Sequence, residues 1–228
     1  MTAVVTVVGG GLAGCEAALQ LAQAGHRVRL VEMRPVRTTE AHQTDHLGEL
    51  VCTNSFKSEA PENAHGQLKR EMRALGSVLL QSADACKVAA GSALAVDRQL
   101  FSEAMTAAVT SETAIEVVRE ECTELPDGPA IIATGPLTSG ALYESIEGAL
   151  GDGGLAFFDA IAPIVERDSL DESIVFEAGR FDEDADYLNC PMNPEEYGAF
   201  IAALNAGEAH EGHDWDTVPY FEGCLPVE

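Results

Sequence analysis

The sequence has few basic residues, and almost none of them lie in its second part. Residues 99–228 contain three Lys or Arg against 28 Asp or Glu, whereas residues 1–98 contain ten of each sign. A surface with such an excess of acidic residues repels a polyanion at long range, so residues 99–228 are not expected to bind nucleic acid directly. We interpret the acidic excess as a heavily solvated surface, and the two parts as having different surroundings or partners.

The sequence also lacks a long apolar run. Its longest uncharged stretch, residues 128–143, is interrupted by Gly and Pro and is too short to cross a bilayer. No basic region precedes the first apolar run, so we expect no signal peptide. These absences predict a cytoplasmic protein with no membrane partner.

The six cysteines include no C-x-x-C pair. Their wide spacing argues against the disulfide framework of a secreted protein. Most of them are therefore expected to be small buried residues, as at Cys15 inside the first predicted helix. The cysteines are Cys15, Cys52, Cys86, Cys122, Cys190 and Cys224.

Two histidine pairs have a spacing that a helix would bring together. His42 and His46 are four residues apart, and His210 and His213 are three apart. Such pairs can bind a metal, but neither has a third or fourth ligand at a suitable spacing. The sequence therefore predicts no metal site.

The strongest motif lies at the start of the chain. Residues 4–8 are apolar and β-branched, which is typical of a buried parallel strand. Gly9, Gly11 and Gly14 follow at the G-x-G-x-x-G spacing, where the strand turns into a helix predicted over residues 12–24. The first glycine allows the turn, the second lets a pyrophosphate approach the backbone, and the third permits close helix–strand packing.

A second strand over residues 27–31 ends at Glu32, where an acidic residue is expected to meet a ribose hydroxyl. A later turn at Thr134 and Gly135 follows another apolar strand, as a second approach to a dinucleotide would. We predict a dinucleotide site at Gly9, Gly10, Gly11, Leu12, Ala13, Gly14, Glu32, Thr134 and Gly135. The alternative is a glycine-rich turn that binds nothing, which would leave Glu32 without a purpose.

The remaining pattern completes an α/β fold. Helices are predicted over residues 65–81, 99–110 and 139–150, and strands over 115–118 and 130–133. Beyond residue 152, short strands alternate with acidic turns, and one helix follows Pro194. We predict a Rossmann-like domain over residues 1–150, and the start of an inserted, smaller α+β domain over residues 151–228.

Two cysteines lie where chemistry is plausible. Cys52 sits among small polar residues with Lys57 nearby, and a positive neighbour can lower the pKa of a thiol and make it reactive. Cys224 lies in a segment with the composition of an exposed loop. The alternatives are a buried inert Cys52 and a Cys224 that is simply a free thiol.

The motifs that carry a family resemblance run through the whole chain in order, and two of them contain the cysteines singled out above, Cys52 and Cys224. They are VVGGGLAG (7–14), VEMRP (31–35), ELVCTNSFKS (49–58), GSALAVDRQLFS (91–102), IIATGPLTS (131–139), YLNCPMN (187–193) and YFEGCLPVE (220–228). With these motifs the chain resembles the folate- and FAD-dependent tRNA uracil-5-methyltransferases. The resemblance implies an FAD-binding domain of the glutathione-reductase-like flavoprotein type.

The resemblance also implies a reaction. Such an enzyme methylates carbon 5 of a T-loop uridine in tRNA, with 5,10-methylenetetrahydrofolate as the one-carbon donor. Reduced FAD supplies the reducing equivalents and is replenished by NADH or NADPH. Members of the family are close to twice this length, so the chain resembles an N-terminal portion.

The resemblance further assigns roles to the two cysteines. Cys224 is the expected nucleophile and Cys52 the expected base, although the exchanged assignment remains open. The alternatives for the whole chain are a related flavoprotein that modifies the wobble uridine, and a fragment that binds a dinucleotide without turnover. RNA contacts from the basic residues between 57 and 98 are also possible, unless acids pair with them.

Overall fold

The computed structural model of the chain describes residues 4–39, 41–151, 165–179 and 185–207. Its elements in chain order are β1 (Val4–Val8), α1 (Leu12–Gln23), β2 (Arg27–Glu32), β3 (Ser55–Ser58), α2 (Ala64–Ala74), α3 (Val78–Ala85), β4 (Lys87–Val88), β5 (Ala93–Val96), α4 (Arg98–Ser111), β6 (Ile115–Arg119), β7 (Ala130–Ile132), α5 (Gly140–Leu150), β8 (Phe176–Ala178), β9 (Tyr187–Asn189) and α6 (Pro194–Asn205).

The chain divides into two compact units. The first comprises Met1–Val88 with Ser92–Ile161, and the second Ala89–Gly91 with Ala162–Glu228. The assignment of residues 1–150 and 151–228 to separate functional domains stays a prediction.

The centre of the first unit is a parallel sheet with the strand order β6-β2-β1-β7. Numbered along the chain, these four strands lie in the order third, second, first, fourth, which matches the first four positions of the Rossmann order 3-2-1-4-5-6. The predicted α/β, Rossmann-like fold is therefore confirmed. Between β1 and β7 the strand order reverses, and ligands of such sheets bind outside the carboxyl ends at that point.

The core lies between this sheet and the helices that pack on it. Helix α1 buries Gly14, Cys15, Ala18 and Leu19, a spacing that places small residues on one face and lets the helix approach β1 and β2 closely. Phe101 of α4 is fully buried and meets Phe56 edge-on, with ring centroids 5.4 Å apart. The largest buried side chains of this core are Phe101, Leu30, Leu47, Leu80, Leu94 and Met105.

A small antiparallel sheet, in the order β3-β5-β4, lies beside the core in the same unit. Strand β3 pairs with β5 irregularly between Ser55 and Ser58, and Lys57 inside it has a φ of +64°. A positive φ is uncommon for a residue with a side chain and is typical here of a bulged strand. The loop that carries Cys52 runs directly into this strand.

Several predicted elements are confirmed, and the prediction of one helix is wrong. Helices α4 and α5 and strand β6 match the predictions, whereas the helix expected over residues 65–81 is two helices, α2 and α3. The chain breaks at Gly76, whose φ is +78°, and the Ser77 hydroxyl then accepts the Leu80 N–H to begin α3. The helical period over residues 65–81 predicts one apolar stripe that includes Leu68 and Leu75, but these side chains are 55% and 81% exposed.

Two burial predictions are also wrong. The apolar run of β7 predicts burial, yet Ile131 is 38% exposed, because β7 is the edge strand of the sheet in the described part of the chain. Of the five cysteines that the structure describes, Cys15 alone is buried, and Cys190 is exposed. The apolar character of a thiol therefore does not predict burial here.

The second unit contains the β8–β9 pair and helix α6. The Tyr187 hydroxyl donates to the Ala90 carbonyl at 2.7 Å, which ties β9 to residues 89–91 of the same unit. Helix α6 begins at Pro194 as predicted, with a capping box between Asn193 and Glu196. None of the helices that the structure describes, in either unit, has the length and apolar character needed to cross a membrane.

Candidate functional site

A cavity of about 400 Å³ opens at the carboxyl ends of all four parallel strands. This volume lies in the range of about 300–1,000 Å³ that is usual for small-molecule sites. Each strand contributes the residues at or just beyond its end, which are Val8 and Gly9, Val31 and Glu32, Glu120 to Cys122, and Ala133 to Gly135. The cavity therefore lies where the strand order predicts a ligand.

The three fingerprint glycines have different structural reasons. Gly9 has a φ of +101°, and a Cβ there would lie 2.6 Å from the Ala133 carbonyl oxygen. A Cβ at Gly14 would lie 1.8 Å from the Gly9 carbonyl oxygen, so helix α1 can approach the turn only without a side chain. Gly11 has an ordinary φ of −77° and would place a Cβ in open space, at the cavity wall.

The amino end of α1 faces this cavity. The first bond within the helix runs from the Cys15 N–H to the Gly11 carbonyl at 3.0 Å, so the N–H groups of Leu12 and Ala13 have no acceptor in the helix. Both residues line the cavity. Free N–H groups and the positive end of the helix dipole favour an anion at this position.

Glu32 lines the cavity too, and it is 5% exposed. Its carboxylate accepts the Gly10 N–H at 2.7 Å, the Arg34 N–H at 2.9 Å and the Arg34 Nε–H at 2.9 Å. The inference that Glu32 has no purpose without a ligand is therefore wrong, because it ties the glycine turn to the end of β2. A carboxylate offers about four acceptor positions, so about one is left for a ligand hydroxyl.

Arg34 connects Glu32 to a second carboxylate. Its guanidinium is buried and also donates to Glu49 at 2.7 Å and to the Thr44 carbonyl at 3.2 Å. Burial alone would raise the pKa of Glu32, but the hydrogen bonds and charge of Arg34 and the Gly10 N–H together hold that pKa below its ordinary value. Glu49 in turn accepts the Gln43 N–H at 2.8 Å, which fixes the loop after β2.

Sequence reasoning missed Arg34 and Glu49. Both lie inside motifs that carry the family resemblance, VEMRP and ELVCTNSFKS, and charged residues within such motifs are the signal that could have singled them out. The network formed by Glu32, Arg34 and Glu49 joins two predicted site segments before any ligand is present.

Cys52 lies at the wall of the same cavity. The guanidinium of Arg98, at the start of α4, donates to the Cys52 carbonyl at 2.9 Å and to the Leu50 carbonyl at 3.3 Å. The Asn54 side-chain amide donates to the Val96 carbonyl at 3.0 Å. These bonds hold both sides of Cys52 against β5 and α4, and so fix the backbone that presents the thiol.

The structure places the predicted site residues unevenly. Gly9, Gly11, Leu12, Ala13, Glu32, Cys52, Thr134 and Gly135 line one cavity, whereas Gly10 and Gly14 shape the turn behind it. Cys122, which the sequence did not single out, lines it as well, and burial raises the pKa of its thiol. Cys224 lies outside the described residues.

The predicted basic surface is mostly used within the fold. Arg73 pairs with Glu59 at 2.7 Å and with Asp84 at 2.6 Å, and Lys87 also pairs with Glu59. Lys69 Nζ donates to the carbonyls of Ser58 and His65, and Arg98 holds the Cys52 loop. The alternative of internally paired bases is favoured, although the partners are distant in sequence.

The helical interpretation of the first histidine pair is wrong. Residues 41–50 contain no helix, and His42 Nδ1 lies 2.7 Å from Thr39 Oγ1 while His46 Nδ1 lies 3.3 Å from Ser102 Oγ. Across the described ranges, no three His, Cys, Asp or Glu side chains are grouped as metal ligands. His210 and His213 lie outside those ranges.

The family model described as glucose inhibited division protein A matches residues 4–228. The chain belongs to this family. It is 55% identical to a protein of Methylobacterium radiotolerans named methylenetetrahydrofolate–tRNA-(uracil-5-)-methyltransferase TrmFO, over 100% of the chain and 50% of that relative. Proteins of the same name from Rhizorhabdus wittichii and Lacticaseibacillus paracasei are 57% and 52% identical, over 97% and 98% of the chain and 51% of each relative.

These relatives confirm the family resemblance carried by the seven motifs. The chain spans about half the length of the curated relatives that it matches. Among solved structures, the GidA-related protein from Thermus thermophilus is 18% identical, with a TM-score of 0.34 over 58% of this chain and 52% of that one.

The glycine geometry predicts two separable phenotypes. Gly11→Val should leave the fold intact but project into the cavity and abolish binding of FAD, the dinucleotide that the motifs imply. Gly148→Val, in open space on α5 and away from the cavity, is the matched control and should retain FAD. Gly14→Ala should instead unfold the turn. Flavin retention and thermal unfolding measure both effects, and unchanged FAD binding in Gly11→Val would refute the site.

The buried network predicts a large, pH-dependent loss of stability. Arg34→Met leaves the buried carboxylate of Glu32 and the partly buried carboxylate of Glu49 without a cation, and should cost about 3–5 kcal/mol in the free energy of unfolding at neutral pH. Arg29→Met, which removes an exposed pair with Glu120, is the control and should cost at most about 1 kcal/mol.

The sign of the pH effect follows from the Glu32 pKa. Because folding lowers that pKa, the pair stabilises the fold above the ordinary carboxyl pKa, and this contribution is lost as pH falls through the folded value. The difference between Arg34→Met and the unchanged chain should therefore shrink in urea unfolding at about pH 4. A pH-independent difference would show that the ion pairs are not its source.

Proposed function

We propose that the chain belongs to an enzyme that methylates carbon 5 of a T-loop uridine in tRNA, with 5,10-methylenetetrahydrofolate as the one-carbon donor. The observation that carries the proposal is that the glycine turn and Cys52 line one cavity. The name of the relatives supports it, and the identity of 52–57% extends over nearly the whole of this chain. A cytoplasmic location accompanies this assignment.

FAD is the cofactor that fits the described residues. The amino end of α1 would hold its pyrophosphate, Glu32 would accept one ribose hydroxyl, and Thr134 and Gly135 would form the facing wall. The open space at Gly11 is the feature that admits a phosphate close to the backbone. When bound and reduced, by NADH or NADPH, FAD supplies the reducing equivalents for the methyl group.

The chemistry of uracil gives a reason for two thiols. Carbon 5 is a weak nucleophile, and addition of a thiolate to carbon 6 generates an enolate that can attack the methylene carbon. A base then removes the proton from carbon 5 as tetrahydrofolate leaves the methylene carbon. Uptake of a hydride at that carbon forms the methyl group, and the thiolate leaves carbon 6. We assign the addition to Cys224 and the proton removal to Cys52.

Cys52 suits the role of base because its backbone is fixed at the dinucleotide cavity. Arg98 and Asn54 hold the two sides of the loop. The loop therefore needs no further ordering before it presents the thiol to a uracil ring that lies near the cofactor. Arg98 acts on the backbone and is a positioning residue in this scheme.

Cysteine variants of the full-length enzyme test the two roles. Cys224→Ala should prevent covalent trapping on RNA that carries 5-fluorouridine. Cys52→Ala should lose methylation by a factor of roughly 10²–10⁴ yet still be trapped, because addition to carbon 6 needs no base. Cys86 is a free thiol that does not line the cavity, so Cys86→Ala is the control and should methylate normally. If Cys224→Ala is still trapped on this RNA and Cys52→Ala is not, Cys52 is the nucleophile and Cys224 the base.

Binding of tRNA to the 228-residue chain should be weak. Its acidic residues repel RNA, and two of its candidate bases, Arg73 and Lys87, are paired with acids within the fold. We expect a Kd no tighter than the ~10⁻⁴–10⁻⁶ M that is typical of non-specific binding at physiological salt. A gel-shift titration measures it, and tight binding that depends on the T loop would place the RNA surface within these residues.

A further inference from the structure

The Ser139 hydroxyl stands out among the polar groups of the cavity. Ser139 is 9% exposed, and its Oγ is the one buried side-chain oxygen or nitrogen in the described part of the chain that has no hydrogen-bond partner. A buried hydroxyl without a partner costs free energy, so such groups in folded proteins usually serve a ligand or another function. Ser139 lines the cavity that holds the glycine turn.

The Ser139 side chain does not cap a helix, although serine is among the preferred N-cap residues. It is the N-cap residue of α5, yet its side chain makes no capping bond. The other N-cap side chains of the first unit behave differently, since Asn63, Ser77 and Asp97 each accept an N–H of their own helix. The Thr134 and Thr138 hydroxyls nearby also bond within their turn.

The amino end of α5 supplies further donors at the same place. The first bond of this helix runs from the Tyr143 N–H to the Ser139 carbonyl at 2.9 Å, so the N–H groups of the first three helical residues, 140–142, have no acceptor in the helix. Leu142 lines the cavity together with Ser139. An eleven-residue helix also presents the positive end of its dipole here.

The charges of the cavity leave this end free for an anion. The cavity's Glu and Arg side chains all belong to segments that follow or end β2 or β6, whereas α5 follows β7 at the opposite edge of the sheet. They are Glu32, Arg34, Glu49, Glu120 and Glu121. The cavity residues contributed between β7 and α5 are all uncharged, namely Ala133, Thr134, Gly135, Pro136, Leu137, Ser139 and Leu142. A negatively charged group would therefore meet donors at this end before it meets a carboxylate.

We propose that Ser139 and the amino end of α5 form a second oxyanion-binding subsite of the cavity, separate from the one at α1. It takes a phosphate or carboxylate group, which accepts the Ser139 hydroxyl and the free N–H groups of α5. The group is either one phosphate of the dinucleotide's pyrophosphate, whose other phosphate lies at α1, or part of another small anion. The placement of a dinucleotide beside it rests on the proposed function.

Ser139→Ala tests the subsite, with Ser77→Ala as the matched control. Ser77 is a bonded N-cap of α3 and does not line the cavity. Without ligand, Ser77→Ala should lower Tm by about 2–8 °C, whereas Ser139→Ala should leave Tm unchanged, because no capping bond is lost. With FAD or inorganic phosphate as the probe, Ser139→Ala should weaken binding roughly 10- to 100-fold, and Ser77→Ala should not.

The two probes distinguish the sources of the oxyanion. If Ser139→Ala weakens the binding of FAD alone, the oxyanion belongs to the dinucleotide. If Ser139→Ala weakens the binding of phosphate to protein that already holds FAD, the oxyanion belongs to a second anion. Unchanged affinity of Ser139→Ala for both probes, or binding of neither probe by the unchanged chain, would overturn the subsite. If Gly11→Val abolishes FAD binding while Ser139→Ala has no effect, the subsite fails and the proposed function stands.

Discussion

The contact on which the site depends is the one between Gly14 and the carbonyl of Gly9. No side chain fits there, and the absence of one lets α1 begin directly against the turn that follows β1. The helix then directs its free N–H groups into the crevice where the strand order reverses. The free N–H groups at the start of α1 therefore owe their placement to close packing, and they are in place in the fold before a ligand arrives.

The network of Glu32, Arg34 and Glu49 fixes the other side of this turn. It joins the glycine loop, the end of β2 and the segment that leads to Cys52, all through one buried guanidinium. The two sides of the cavity differ in their hydrogen-bonding groups. Carboxylates lie at the ends of β2 and β6 and suit hydrogen-bond donors, whereas amide groups lie at the ends of β1 and β7 and suit oxyanions. A dinucleotide offers both kinds of group.

Local patterns in the sequence predict the parts of this arrangement that depend on neighbouring residues. Alternation and glycine spacing are enough for β1, α1, β2 and the turn between them, because each has its cause within a few residues. The break at Gly76, the burial of Arg34 and the loop bonds of Arg98 depend on contacts between distant segments. The periodicity of a sequence carries no information about contacts between distant segments. For the same reason the charge pattern predicts a basic surface that includes Arg73, which is paired with acids in the fold.

The central claim is that the dinucleotide and Cys52 share one cavity, and alkylation of the cysteines tests it directly. Cys52 lines the cavity, whereas Cys190 is exposed just after β9 and belongs to the other unit. Saturating FAD should slow the reaction of Cys52 with iodoacetamide, read residue by residue by mass spectrometry, and leave the rate at Cys190 unchanged. Equal rates at Cys52 with and without FAD would contradict the account.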